Sequence, residues 1–241
     1  MEQTAVGSIQ NRLNEVEGRV SEAAQRSGRD PSDIQIVAVT KGHSIETVRA
    51  AYDCGLRWYG ENRVRQGLQK MDALAELEGV QWDMIGHIQS RKAKLVVPKY
   101  HWVHSVDRIK IARYLNRYAQ EAGRRLTVLL ECNVSGEEAK YGFDLTSEKE
   151  WPAWLETAEM IAEMDGLEVR GLMTMAPWQA DEATVRTTFQ RLHELRAFLR
   201  EQLAGYDWSQ LSMGMTDDFE IAVEEGATIL RLGRALFGPR S

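Results

Sequence analysis

The sequence predicts an α/β protein built as a single (β/α)8 barrel. Short runs rich in β-branched residues alternate with stretches of helical period along the chain, and that repetition implies a parallel sheet with crossover helices. Eight strand candidates are present, the number that closes such a sheet on itself. A length of 241 residues is typical of one barrel of this kind.

The elements follow in order. Ser8 to Ser27 carries Ile9, Leu13, Val16 and Val20 at helical spacing and is closed by Gly28, so it reads as an additional N-terminal helix. Strands are expected at Ile34–Lys41, Leu56–Asn62, Gln81–Gly86, Trp102–Val106, Leu126–Asn133, Val169–Met175, Gln210–Met215 and Thr228–Gly233. Helices are expected between them at Ile45–Cys54, Arg63–Leu77, Ser90–Val97, Arg108–Ala122, Ser147–Met164, Glu182–Leu203 and Asp217–Glu225, with Asp217 as a helix cap. The five prolines are scattered, no low-complexity tract or internal repeat divides the chain, and one domain over residues 1–241 is expected.

Hydrophobic residues make up 43% of the chain and charged residues 27%, as in ordinary globular proteins. No apolar run is long enough to span a membrane, and Met1-Glu2-Gln3-Thr4 opens no secretory signal. The net charge of −6 argues against non-specific nucleic-acid binding, which needs a positive footprint. Cys54 and Cys132 lie in apolar surroundings and read as core residues rather than a disulfide framework. A cytoplasmic setting is expected.

The chemistry starts at Lys41, the last residue of the first strand run, before Gly42. A lysine at the carboxyl end of a buried strand is costly unless something uses it. Partial desolvation lowers its pKa and makes it a competent imine-forming nucleophile; the alternative is a lysine turned to water. Barrel loops at the carboxyl ends of the strands form the site. After the last two strands these are Ser212-Met213-Gly214 and Gly233-Arg234. Glycines there let backbone N–H groups approach an anion, and Ser212 adds a hydroxyl; otherwise Gly214 and Gly233 merely permit tight turns. Period-two alternation sets Ile229, Arg231 and Gly233 on one face, and Leu230 and Leu232 on the other. The leucines suit the helix layer, so Arg231 points into the barrel, where it needs a partner: a core carboxylate, a ring nitrogen or a phosphate. Lysine, phosphate cradle and inward arginine together suggest pyridoxal 5′-phosphate. An arginine at the pyridine nitrogen would keep it unprotonated and the ring a weak electron sink.

At these residues the chain resembles the YggS/PROSC family of pyridoxal phosphate homeostasis proteins. The matching blocks include Val37-Ala38-Val39-Thr40-Lys41, Gly60-Glu61-Asn62-Arg63-Val64, Ile85-Gly86-His87-Ile88-Gln89-Ser90-Arg91-Lys92, His104-Ser105-Val106-Asp107, Asn133-Val134-Ser135-Gly136-Glu137, Leu211-Ser212-Met213-Gly214-Met215 and Arg231-Leu232-Gly233-Arg234-Ala235-Leu236-Phe237-Gly238. The resemblance implies a barrel of the alanine-racemase type that carries the cofactor. Lys41 falls at the Schiff-base position and Asn62 beside the phenolic oxygen. Arg231 falls at the ring nitrogen, and Ser212 and Gly233 at the phosphate. It also implies a carrier and regulator of the vitamin B6 pool, with effects on amino-acid balance and apo-enzymes as possible recipients. Family members commonly carry a proline shortly after the lysine, where this chain has Gly42-His43-Ser44-Ile45, which brings His43 within reach of the site. They also carry a smaller or acidic residue where this chain has Arg234, which would strengthen phosphate binding or point to solvent.

Two further readings stand beside the carrier. One is a weak pyridoxal phosphate-dependent amino-acid racemase. Such enzymes use a second acid/base group from a partner subunit, placed by a carboxyl-terminal domain that is absent before Ser241, so a non-enzyme and a monomer or weak dimer are expected. The other is a cofactor-free Schiff-base aldolase. A secondary aldehyde contact is expected at Lys140, and His87 is expected near the site or on a loop carbonyl. His101 and His104 fall on opposite faces of a strand and do not make a metal site.

Overall fold

The computed structural model describes residues 2–137 and 141–239. Eight parallel strands close into a barrel: β1 (Gln35–Val39), β2 (Trp58–Glu61), β3 (Gln81–Met84), β4 (Trp102–Val106), β5 (Leu126–Asn133), β7 (Leu167–Met173), β8 (Gln210–Ser212) and β9 (Ile229–Leu232). Their order is β4-β3-β2-β1-β9-β8-β7-β5, and pairing of β4 with β5 completes the ring. A two-residue strand, β6 (Phe143–Asp144), pairs outside the ring with the far end of β5, Cys132 opposite Phe143. It is too short to have a period in the sequence.

Outside lie α2 (Ile45–Asp53), α3 (Val64–Ala73), α4 (Ala93–Val96), α5 (Ile109–Glu121), α6 (Trp151–Ala162), α7 (Glu182–Gln202), α8 (Phe219–Glu224) and α9 (Arg234–Phe237). Ser44 caps α2 by accepting from the Thr47 N–H, and Asp181 caps α7 by accepting from Thr184. α1 (Glu2–Arg26) packs across α2, α8 and α9. It buries Ile9, Leu13, Val16, Val20, Ala23 and Ala24, and Arg19 and Arg26 tie it to Glu220 and Glu224.

The core has two layers, as strand alternation requires. The larger lies between sheet and helices and includes Ala38, Leu230 and Leu232. The smaller fills the barrel: Val37, Leu129, Met173 and Ile229, with Trp58, Trp102 and Met175 packed against it. The expected alternation of β9 therefore holds.

Several strands stop before their expected ends. β1 ends at Val39 rather than Lys41, β3 at Met84 rather than Gly86, β7 at Met173 and β8 at Ser212 rather than at Met175 and Met215. Single backbone bonds still reach one residue past these ends, as from the Thr40 N–H to the Gly60 carbonyl and from the Ile85 N–H to the Glu61 carbonyl, before the chain leaves the ladder. The cap of α8 is Asp218, not Asp217. Ser90–Lys92 forms a 3-10 turn ahead of α4 rather than one continuous helix.

Candidate functional site

Register gathers the candidate residues at one end of the barrel. Val39 pairs with Gly60 of β2, and Val37 with Arg231 of β9. Lys41, two residues past Val39, thus falls level with Asn62 on the β2 side, while on the β9 side Gly233 is level with Val39. Ser212 pairs with Ile229 and adds β8 to the set.

Lys41 is half-buried and sits in a tight turn rather than on the strand. The His43 N–H donates to the Thr40 carbonyl at 3.0 Å, and Gly42 takes the left-handed φ of +79° that the third turn position requires. A buried knot holds the turn from behind. Lys70 Nζ donates to the Thr40 carbonyl at 2.6 Å and to Glu61 Oε1 at 2.5 Å, and the Thr40 hydroxyl donates to the same oxygen at 2.6 Å. Glu61 is fully buried and Lys70 nearly so.

Asn62 follows β2 and is half-buried, with no side-chain hydrogen bond among the described residues. Its backbone presses on Gly86, where a Cβ would stand 2.4 Å from the Asn62 carbonyl oxygen. Gly233 is open by contrast: a Cβ there would meet only Val39, no closer than 3.5 Å.

Arg231 is 4% exposed and enters the barrel as expected. Nη1 donates to Ser212 Oγ at 2.6 Å and Nη2 to the Thr174 carbonyl at 2.8 Å. Burial lowers its pKa to about 10, opposed by the charges of Asp218 and Glu131, so it is a cation at neutral pH. Ser212 is fully buried and also meets His104 Nδ1 at 2.9 Å. Its hydroxyl is engaged below the mouth, where a ligand phosphate would have to displace an existing bond. The Arg234 side chain is exposed and bonded to Asp217, with its guanidinium 5.9 Å over the Trp178 ring.

The other sequence candidates separate. The His43 ring lies 4.7 Å from that of Phe237. His87 pairs through Nδ1 with Asp107 Oδ2 at 2.7 Å, not with a carbonyl, and stacks on Tyr141. His101 accepts from the Trp82 N–H while His104 faces the barrel interior, so the two do not converge. Lys140 lies outside the described residues.

Sequence reasoning missed the acids of this end. Glu131 on β5 is 4% exposed, and burial, reinforced by the charge of Asp107, pushes its carboxyl up to about 7. Asp218 accepts from the Met215 N–H at 2.5 Å, and burial raises its pKa. The available signal was a carboxylate inside an apolar strand, as in Leu129-Leu130-Glu131-Cys132. A cleft of about 370 Å³ opens between Met175–Ala180 and Met215–Asp218; Lys41, Ser212 and Arg231 are not in its wall.

Residues 12–241 match the family described as alanine racemase, N-terminal domain. A pyridoxal phosphate homeostasis protein of Pseudomonas aeruginosa is 40% identical, covering 98% of this chain and 97% of the relative. One of Aquifex aeolicus is 38% identical, covering 95% and 97%. The chain belongs to the pyridoxal phosphate homeostasis protein family. The YggS/PROSC resemblance read from the sequence is thereby shown. PipY of Synechococcus elongatus has been solved with pyridoxal phosphate bound. That structure superposes with a TM-score of 0.82 at 32% identity, covering 95% of this chain and all of that one; the form without it gives 0.84. These homeostasis-family relatives carry the name of a homeostasis protein rather than of an enzyme. Among the described residues no helix is long and apolar enough to cross a membrane.

Proposed function

We propose that this homeostasis-family member binds pyridoxal 5′-phosphate, anchors it reversibly through Lys41 and takes part in balancing the free cofactor pool. The supporting observation is the placement of Lys41: a half-buried lysine in a hydrogen-bonded turn, level with Asn62 and two residues beyond the level of the open Gly233, above a barrel interior that holds the Arg231 cation. The residues fit the group. Its aldehyde supplies the electrophile for a reversible imine with the Lys41 amine. Asn62 offers an amide that has no side-chain hydrogen bond among the described residues. Arg231 spends two of its five N–H donors on Ser212 and Thr174 and keeps the rest for the ring. The backbone at Gly233 and Arg234 receives the phosphate, while the Ser212 hydroxyl stays with Arg231 and His104 and the Arg234 side chain serves Asp217.

Cargo handling rather than turnover suits this site, because an arginine at the ring nitrogen keeps electron withdrawal weak. We place the protein in the cytoplasm, with cofactor-requiring apo-enzymes as recipients. Both cysteines are buried and unpaired, in keeping with a reducing setting.

The test is an absorption spectrum of protein incubated with pyridoxal 5′-phosphate, then borohydride reduction and peptide mass mapping. A pyridoxyl adduct on Lys41, absent in Lys41→Ala, is the expected result. Undiminished labelling of Lys41→Ala would defeat the anchor. Failure of the wild type to take up the cofactor would defeat the whole reading.

A further inference from the structure

The barrel interior holds buried polar groups that cofactor binding does not itself explain. Asp83 on β3 is fully buried, and neither of its oxygens has a hydrogen bond among the described residues. His104 on β4 is fully buried beside it, with Nε2 3.3 Å from Asp83 Oδ2. That is the separation of an ion pair, without the alignment of a hydrogen bond. A carboxyl group so placed costs stability, and burial raises its pKa in spite of the neighbouring imidazole.

We infer that Asp83 and His104 are positioning residues for Arg231, acting through the hydroxyl of Ser212. The inference rests on the cofactor reading above.

Donor and acceptor roles follow from the chemistry of each group. Arginine only donates, so Ser212 Oγ is the acceptor of the 2.6 Å bond from Nη1. The serine has one proton to give, and the group in reach is His104 Nδ1 at 2.9 Å. Giving it there makes Nδ1 an acceptor and leaves the ring proton on Nε2, facing the Asp83 carboxyl. The opposite tautomer would make Ser212 accept twice and leave its own proton without a partner in a fully buried site. The acid therefore selects the tautomer, the tautomer fixes the hydroxyl, and the hydroxyl holds one arm of the guanidinium while the Thr174 carbonyl holds the other. The Trp102 ring stands edge-on to His104 at 6.1 Å and sets its plane. Asp83, His104 and Ser212 are inaccessible and Arg231 is 4% exposed, so water cannot replace a broken link.

Nitrogen-15 NMR of ligand-free protein labelled at histidine reads the tautomer directly. A His104 ring protonated at Nε2 alone is expected; one protonated at Nδ1 would overturn the chain of bonds. The second measurement uses protein loaded with added pyridoxal 5′-phosphate and follows its absorption maximum and release rate. His104→Leu should shift the maximum and speed release by about 10- to 100-fold, the range for losing a hydrogen bond that orients a charged group. His104→Asn, which keeps a polar group near the place of Nδ1, should recover most of both. A stability loss without these changes would mean a structural role only and overturn the inference. If His104→Leu does not fold, Ser212→Ala breaks the same link with a smaller change, and wild-type absorption and release in that variant would overturn it equally. No uptake by the wild type would instead defeat the cofactor reading itself, and this inference with it.

Discussion

Replacing Glu131 with glutamine should stabilise the protein above neutral pH and leave it unchanged in acid. Glu131 lies on β5, 4% exposed. Burial is the main cause that pushes its carboxyl from an ordinary 4.5 up to about 7; Asp107 adds to it, and Arg231 and Arg108 pull the other way. Asp107 itself is already bonded to His87 and Arg108. A raised folded pKa means that the folded state holds this proton more tightly than the unfolded chain does. Its stability contribution is therefore complete below pH 4.5, declines as the pH rises to about 7, and is level beyond that. The difference between the two pKa values corresponds to about 3 kcal/mol. Glutamine keeps the shape and has no proton to lose, so it escapes the decline. Urea denaturation of both proteins at pH 4, 6 and 8 measures this. The variant should gain up to about 3 kcal/mol at pH 8, about half of that or more at pH 6 and almost nothing at pH 4. An equal difference at pH 4 and pH 8 would refute the assignment of a buried, proton-retaining carboxyl.

Lys70→Met should cost about 3–5 kcal/mol, because it leaves the buried Glu61 carboxylate without its cation; chemical denaturation measures it. The same variant should slow borohydride-trapped labelling of Lys41, since Lys70 also holds the Thr40 carbonyl of that turn. Gly86→Ala should cost about 1–3 kcal/mol by overpacking. Its Cβ would collide with the Asn62 backbone, so the absorption maximum of the loaded protein should move as well; a wild-type maximum would show that Asn62 does not touch the cofactor. Lys41→Ala should lose the reducible adduct while keeping the thermal stability of the parent within about 0.5 kcal/mol, as expected of a half-buried residue outside the core.

The candidate site was readable where local sequence carries the constraint. Lys41 before Gly42, the glycine at 233 and the inward parity of Arg231 all follow from short-range pattern, and the pairing of β1 with β9 sets Arg231 level with Val37 and Gly233 level with Val39. Lys41 itself shows the limit. It was expected on the strand, and it lies in the turn that the His43-to-Thr40 bond closes, with Gly42 at a left-handed φ. Ser212 shows another: parity sets it inward, but only the fold reveals that Arg231 and His104 engage it from β9 and β4. The sequence leaves Arg234 between strengthening phosphate binding and pointing to solvent, and its side chain is exposed and bonded to Asp217.

The sequence by itself determined the alternation of strand and helix, the eight-strand count and which leucines of β9 face the helices. Hydrophobic period and chain length set these locally, and each strand needs no knowledge of its partners to express them. The tertiary structure alone decided the contacts among Asp83, His104, Ser212 and Arg231, the knot of Thr40, Glu61 and Lys70, and the proton retained on Glu131. Those groups lie far apart in the chain. Their energies depend on burial and on neighbours that closure of the barrel supplies, so no local pattern encodes them.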